Sequence, residues 1–248
     1  MNPILSDQVW IWLNPLRCDC PKAVEHWARV DEEERRKQEA REAREREAER
    51  LKTIERLFRA SQLPARFRER TFENFKETPE NEGPLKIARN YAETFGDKLS
   101  GGQGLMFTGD VGVGKTHLAA AITLHLLNQG YGVIFGTVTT LLGWIRQTYD
   151  DDARESERQV IDQLVYASLL VIDDLGKEKP TPWVEQMLYE IINSRYEANK
   201  PLIITTNTSL REIEARYENT GRAIVSRIVE MCQGVRMEGQ DWRKSRLR

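Results

Sequence analysis

Gly109-Asp110-Val111-Gly112-Val113-Gly114-Lys115-Thr116 fits the phosphate-binding pattern G-x-x-x-x-G-K-[ST] at each fixed position. Before it stands Leu105-Met106-Phe107-Thr108, short and apolar, which reads as a buried strand. After it, His117 to Leu127 is rich in Ala and Leu and reads as a helix. Phosphate binding requires this setting. Glycines let backbone N–H groups turn inward around an anion. A helix N-terminus adds unpaired donors and a partial positive charge of about 0.5. Lys115 is placed to reach the β- and γ-phosphates, and the Thr116 hydroxyl to ligate Mg²⁺. A glycine turn that matched by accident would lack the flanking strand and helix. The stretch from Gly109 to His117 therefore predicts a nucleoside triphosphate site.

Downstream, apolar strand candidates at Tyr131–Thr137, Leu169–Ile172 and Leu202–Thr206 alternate with helical patterns over 139–149, 156–166, 183–199 and 210–217. Strands alternating with helices predict a parallel sheet of βαβ units. Ligands of such sheets sit at the carboxyl ends of the strands, where the glycine loop and Asp173 both fall. Leu169-Leu170-Val171-Ile172-Asp173-Asp174 reads as a strand ending in two acids. Asp173 can hold Mg²⁺ through its waters, and Asp174 can orient or deprotonate an attacking water. Asn207 or Thr206 ends the next strand and can contact the γ-phosphate or that water. On residue chemistry alone, a strand-ending Asn that opens a turn is a serious rival reading for Asn207. Arg222, Arg227, Arg236, Arg243 and Arg246 crowd the C-terminal end, and composition does not choose among them.

With 248 residues the prior is one or two domains. A net charge of −2 steers the protein toward no particular partner, so any nucleic-acid surface must be a local patch. Three cysteines, an odd number, give no disulfide framework and suit a reducing compartment. No apolar run reaches the ~20 residues of a membrane span, and Asp7 with no basic start argues against a signal peptide. The expectation is a cytoplasmic protein with no membrane partner.

Residues 1–30 hold Trp10, Trp12 and Trp27, three of the six tryptophans, and read as a small docking module. Cys18 and Cys20 look like half of a zinc site, but four ligands are needed and no second pair lies nearby. Two reduced surface cysteines are the favoured reading. From Asp31 to Arg56 the chain carries ten acids against nine bases, with opposite charges at i,i+4 such as Glu32/Arg36 and Glu33/Lys37. This predicts a solvated helix. Pro64 breaks it, and a linker runs to Phe75. The expected division is a module over 1–30, a charged helix and linker over 31–75, and an ATPase domain over 76–248.

The P-loop continuing into His117-Leu118, the Asp173-Asp174-Leu175-Gly176 run, Thr205-Thr206-Asn207 and the closing Asp241-Trp242-Arg243-Lys244-Ser245-Arg246 resemble one known group. These are the AAA+ helicase loaders of the DnaC/DnaI type, with the related IstB-like transposition ATPases. The linker ending Thr71-Phe72-Glu73-Asn74-Phe75 resembles the loader branch. The resemblance covers the chain from about Arg56 onward. It implies a three-layer P-loop AAA+ fold around a central parallel sheet, with ATP and Mg²⁺ as cofactors. By the same resemblance Asp174 is the catalytic acid, Asn207 is sensor 1, Arg227 is a finger reaching a neighbouring subunit's nucleotide, and Arg243 is sensor 2. The usual AAA+ residue at the place of Asp174 is Glu, so the shorter side chain implies slow hydrolysis, suited to a switch. Tyr149, Thr181 and Trp183 fall where loaders face single-stranded DNA. Implied partners are a replicative helicase, single-stranded DNA, and further copies of the chain assembled on ATP and DNA. Two rival readings are a transposition helper acting on duplex DNA and a non-hydrolysing ATP-binding adaptor. The tryptophan-rich N-terminal stretch favours a dedicated protein partner, and hence the loader.

Overall fold

Strands that are apolar at successive positions need cover on both faces, and the helices supply it. The computed structural model describes residues 20–150 and 152–242. Strands β1 (Gly104–Gly109), β2 (Val133–Thr137), β3 (Leu169–Asp173), β4 (Leu202–Thr206) and β5 (Cys232–Met237) form one sheet in the order β2-β3-β4-β1-β5. All four neighbouring pairs are parallel. Leu105 pairs with Ile203 and Met106 with Ile204, so alternate residues go to opposite faces. Leu105, Phe107, Val171 and Ile203 pack in a core with α2 (Glu82–Glu93), α3 (Phe95–Ser100) and α4 (Lys115–Asn128). Met106, Leu170, Ile172 and Ile204 pack in a second core. Most of its other members come from α5 (Val138–Gln147), α6 (Glu157–Tyr166), α7 (Pro182–Glu197), α8 (Leu210–Arg216) and α9 (Gly221–Met231). The result is a three-layer sandwich with the P-loop and Asp173 at the same sheet edge.

Side-chain caps set several helix starts. Ser156 and Ser209 each form a reciprocal capping box, with Gln159 and Glu212. Thr181 caps α7 ahead of Pro182, which suits a first helical position. The final strand was not legible in the pattern. In β5 only Val235 and Met237 are buried, and it pairs with β1 as an edge strand, so it lacks the apolar run of β3 and β4.

Arg195 on α7 is fully buried. Its Nη1 donates to the carbonyl oxygens of Leu164 (2.7 Å), Val165 (2.9 Å) and Ala167 (3.2 Å), and its Nη2 to that of Pro201. It thereby caps carbonyls left unpaired at the end of α6. Burial pulls its pKa down to about 9.

The chain divides into two compact units at Leu51/Lys52, inside helix α1 (Pro21–Ala60). In the first unit the described residues are helical from Pro21, so Trp27 lies on a helix. Ion pairs Arg36–Glu32 (2.9 Å) and Lys37–Glu33 (2.7 Å) follow the expected i,i+4 spacing. Trp10, Trp12 and Cys18 lie outside the described residues. The second unit begins well before the expected boundary at residue 76. Leu63, Phe72 and Phe75 are buried in the α4-side core, with Leu57, Phe58 and Phe67 packed against it, and Phe135 N donates to Ser61 O (2.9 Å). The segment 57–75 is thus part of the second unit, because its apolar residues, scattered among arginines, find a core there.

Candidate nucleotide-binding site

The loop between β1 and α4 takes the conformation that its glycines permit. Gly109 (φ 140°) would drive a Cβ into the carbonyl of Met237 on β5. Gly114 (φ 103°) starts α4 with no capping side chain, leaving first-turn donors for an anion. A Cβ there would lie 2.8 Å from the Phe75 ring. Val113 is buried in the core, whereas Val111 stands exposed at the loop's tip. Lys115 is buried, and its ammonium donates to the carbonyl oxygens of Gly109 (2.8 Å) and Asp110 (2.6 Å). Burial pulls its pKa below the usual lysine value, while the charge of Asp174 opposes that pull.

Asp173 ends β3 in a polar pocket inside the sheet edge. Its Oδ1 accepts from the hydroxyls of Thr116 (2.8 Å) and Thr205 (2.7 Å). Burial raises its pKa, and these two bonds lower it. Thr205 also accepts from the Asp174 N–H (2.9 Å), which fixes the turn between the two acids. Asp174 itself has φ 57°, and its Oδ2 pairs with the Lys177 ammonium at 2.8 Å. A hydroxyl and a carboxylate in direct contact at the P-loop are a hard-oxygen pair that fits Mg²⁺. The glycine cradle and Lys115 fit a polyphosphate.

A cavity of about 770 Å³ opens onto these groups, lined among others by Lys115, Thr116, Asp174, Lys177 and Asn207. Its other wall is Arg66, Phe67, Arg70, Phe75 and Trp242, which the sequence reading did not assign. The His117 ring lies 2.8 Å from Thr71 O and edge-on to Phe75 (5.1 Å), so the segment before α2 is tied to the P-loop helix. Burial lowers the His117 pKa. The signal that could have found this wall was the aromatic spacing Phe67, Phe72, Phe75, hidden by its arginines.

Asn207 is exposed at the end of β4 and faces the same cavity as Asp174. Arg227 does not line it. On α9 its Nε donates to Asn193 Oδ1 (3.1 Å) and its guanidinium sits 4.7 Å over the Tyr196 ring, both on α7. Arg243 lies outside the described residues. Tyr149 and Trp183 come together, their rings edge-to-face at 6.5 Å with the Arg146 guanidinium 4.6 Å over Trp183, while the Thr181 hydroxyl accepts from Val184 N as the cap of α7. Among the described residues no group of three or more candidate metal ligands forms, and Cys20 stands exposed at the start of α1. No helix among them is long and apolar enough to cross a membrane.

A profile of the IstB-like ATP binding proteins matches residues 34–248. The chain belongs to that family. Among its relatives is the replicative helicase loader DnaC of Escherichia coli K12, 30% identical over 172 residues that span 69% of this chain and 68% of that protein. An ATP-binding protein of insertion sequence IS5376 from Geobacillus stearothermophilus is 30% identical over 65% of this chain and 61% of that one. A crystal structure of the DnaC helicase loader superposes with a TM-score of 0.61 at 26% identity, covering 71% of this chain and all of that one. The IstB-like chain has the P-loop AAA+ fold, with β4 inserted between the strand that carries the phosphate loop and the strand that carries the acids.

Proposed function

We propose that this IstB-like protein is an ATP-dependent loader that binds a replicative helicase and single-stranded DNA, with ATP hydrolysis as a switch. Thr116 and Asp173 would hold Mg²⁺, which when bound supplies positive charge to the transferring phosphoryl group. Lys115 exchanges its two loop carbonyls for phosphate oxygens, a trade of neutral acceptors for charged ones. Asp174 accepts a hydrogen bond from the attacking water and aligns it, and Asn207 borders the same space. Arg227, turned away from its own cavity, serves a neighbouring copy. Arg243 would act in its own subunit.

The observation that carries the nucleic-acid half of this reading is the cluster of Tyr149, Trp183 and Arg146 beside Thr181. An exposed Tyr149 ring beside the part-buried Trp183 and a guanidinium suits the faces of unpaired bases, worth about 1–3 kcal/mol per base. In duplex DNA those faces are stacked away. The second reading, a transposition helper on duplex DNA, is supported by the IstB-like profile and the IS5376 relative. Fluorescence anisotropy with single-stranded and duplex oligonucleotides separates the two. Single strands should bind more tightly, and Tyr149→Ala with Trp183→Ala should lose that preference by tenfold or more. Tighter binding of duplex, untouched by these substitutions, would favour the transposition helper. Capture of a hexameric replicative helicase by the full chain tests the other half.

A further inference from the structure

The loop that follows the two acids is largely buried and firmly held, with Lys177 its exposed member. Leu175 N donates to Thr205 O (2.9 Å), and Leu175 O accepts from the Thr206 hydroxyl (2.7 Å). Gly176 N donates to the buried Glu178 carboxylate (3.1 Å). Glu178 in turn accepts from the Tyr217 hydroxyl, and its carbonyl accepts from Arg216. Residues 174, 175, 176 and 178 are thus each pinned to β4, α8 or one another. Lys177 differs. Its side chain is half-exposed, lines the nucleotide cavity, and its ammonium pairs with Asp174 Oδ2 at 2.8 Å. Of the three lysines that line the cavity, Lys115 and Lys177 are each held by an oxygen acceptor of the protein itself, whereas Lys76 lies over the Trp242 ring.

We propose that Lys177 is a latch on Asp174 that the terminal phosphate of a nucleoside triphosphate releases. In the structure Lys177 occupies the carboxylate that should align water. A diphosphate ends short of the acids and leaves the pair intact. A triphosphate brings a terminal group with more negative charge than one carboxylate, and the flexible lysine stem on its fixed loop swings to it. Asp174 is then free. The inference rests on the nucleotide-site reading above and adds what that reading lacks, a residue that tells triphosphate from diphosphate.

The test is equilibrium titration of wild type, Lys177→Met and Lys177→Arg with Mg²⁺ and either fluorescent ADP or a non-hydrolysable ATP analogue, with nucleotide-free melting as the control for folding. Lys177→Met should weaken the triphosphate analogue about tenfold, the order expected for one charge-assisted bond, and leave ADP within twofold. Lys177→Arg should keep most of the selectivity. Asp174→Asn should tighten the triphosphate analogue severalfold when Lys177 is present and not in the Lys177→Met background, since only the former frees a lysine from the carboxylate. Equal losses for both nucleotides, or none, overturn the latch. So does an equal gain from Asp174→Asn in both backgrounds, which would mean that Asp174 merely repels the phosphate. Wild type that binds neither nucleotide refutes the site reading itself, whereas binding with selectivity unchanged in Lys177→Met refutes the latch alone.

Discussion

Arg227→Ala separates a finger acting across an interface from a structural arginine. In the isolated chain the substitution removes one hydrogen bond to Asn193 (3.1 Å) and the stacking on Tyr196 (4.7 Å). Together these are worth about 1–2 kcal/mol for a partly exposed side chain, small beside a typical stability of about 5–15 kcal/mol. The fold should persist. Because Arg227 does not line its own cavity, ATP affinity should stay within about twofold. Hydrolysis, by contrast, should fall by about 10³–10⁵, the range for loss of an arginine finger. Mixing supplies the decisive assay. Combined one-to-one with Lys115→Ala on a single strand, a productive interface needs a P-loop from the Arg227→Ala copy and a finger from its Lys115→Ala neighbour. Random head-to-tail assembly makes about one interface in four productive, so activity should return to roughly a quarter of wild type. Mixtures that co-sediment on DNA yet recover nothing would refute action in trans. So would a loss of ATP affinity in the isolated variant.

Three further outcomes follow from particular contacts. Lys115→Ala should abolish ATP binding while the thermal melt stays cooperative, since the lysine's bonds are to two carbonyls of its own loop; near-wild-type turnover in a pure preparation would contradict the site. Gly114→Ala should cost about 1–2 kcal/mol from its left-handed backbone, with more from the Phe75 ring 2.8 Å away, and should weaken nucleotide binding at least tenfold in a titration. Arg195→Met strands buried carbonyls at the end of α6 and the approach to β4; urea unfolding should show a loss of about 3–5 kcal/mol, and a loss under 1 kcal/mol would mean that water replaces the guanidinium.

The sequence by itself determined what depends on short stretches of chain. The P-loop residues Gly109 to Thr116, the apolar strands ending in Asp173 and Thr206, and the helix patterns between them are local: glycine chemistry, short apolar runs and helical spacing act within a few residues. The parallel AAA+ sheet follows from their alternation. Tertiary structure decided whatever joins distant segments. Thr116 reaches Asp173 across 57 residues, and His117 reaches Thr71 across 46, only because the sheet buries both faces and sets its strand order. The strap over residues 57–75 became a wall of the site because Phe67, Phe72 and Phe75 have somewhere to bury. Arg227 rests on Asn193 and Tyr196, 34 and 31 positions earlier in chain number, because α7 and α9 pack on the same face. The pairing of Lys177 with Asp174 lay within four residues of sequence, yet a left-handed turn at Asp174 and the anchoring of Glu178 under Tyr217 aim it into the cavity. No periodicity encodes a contact that exists only when two separately folded surfaces meet.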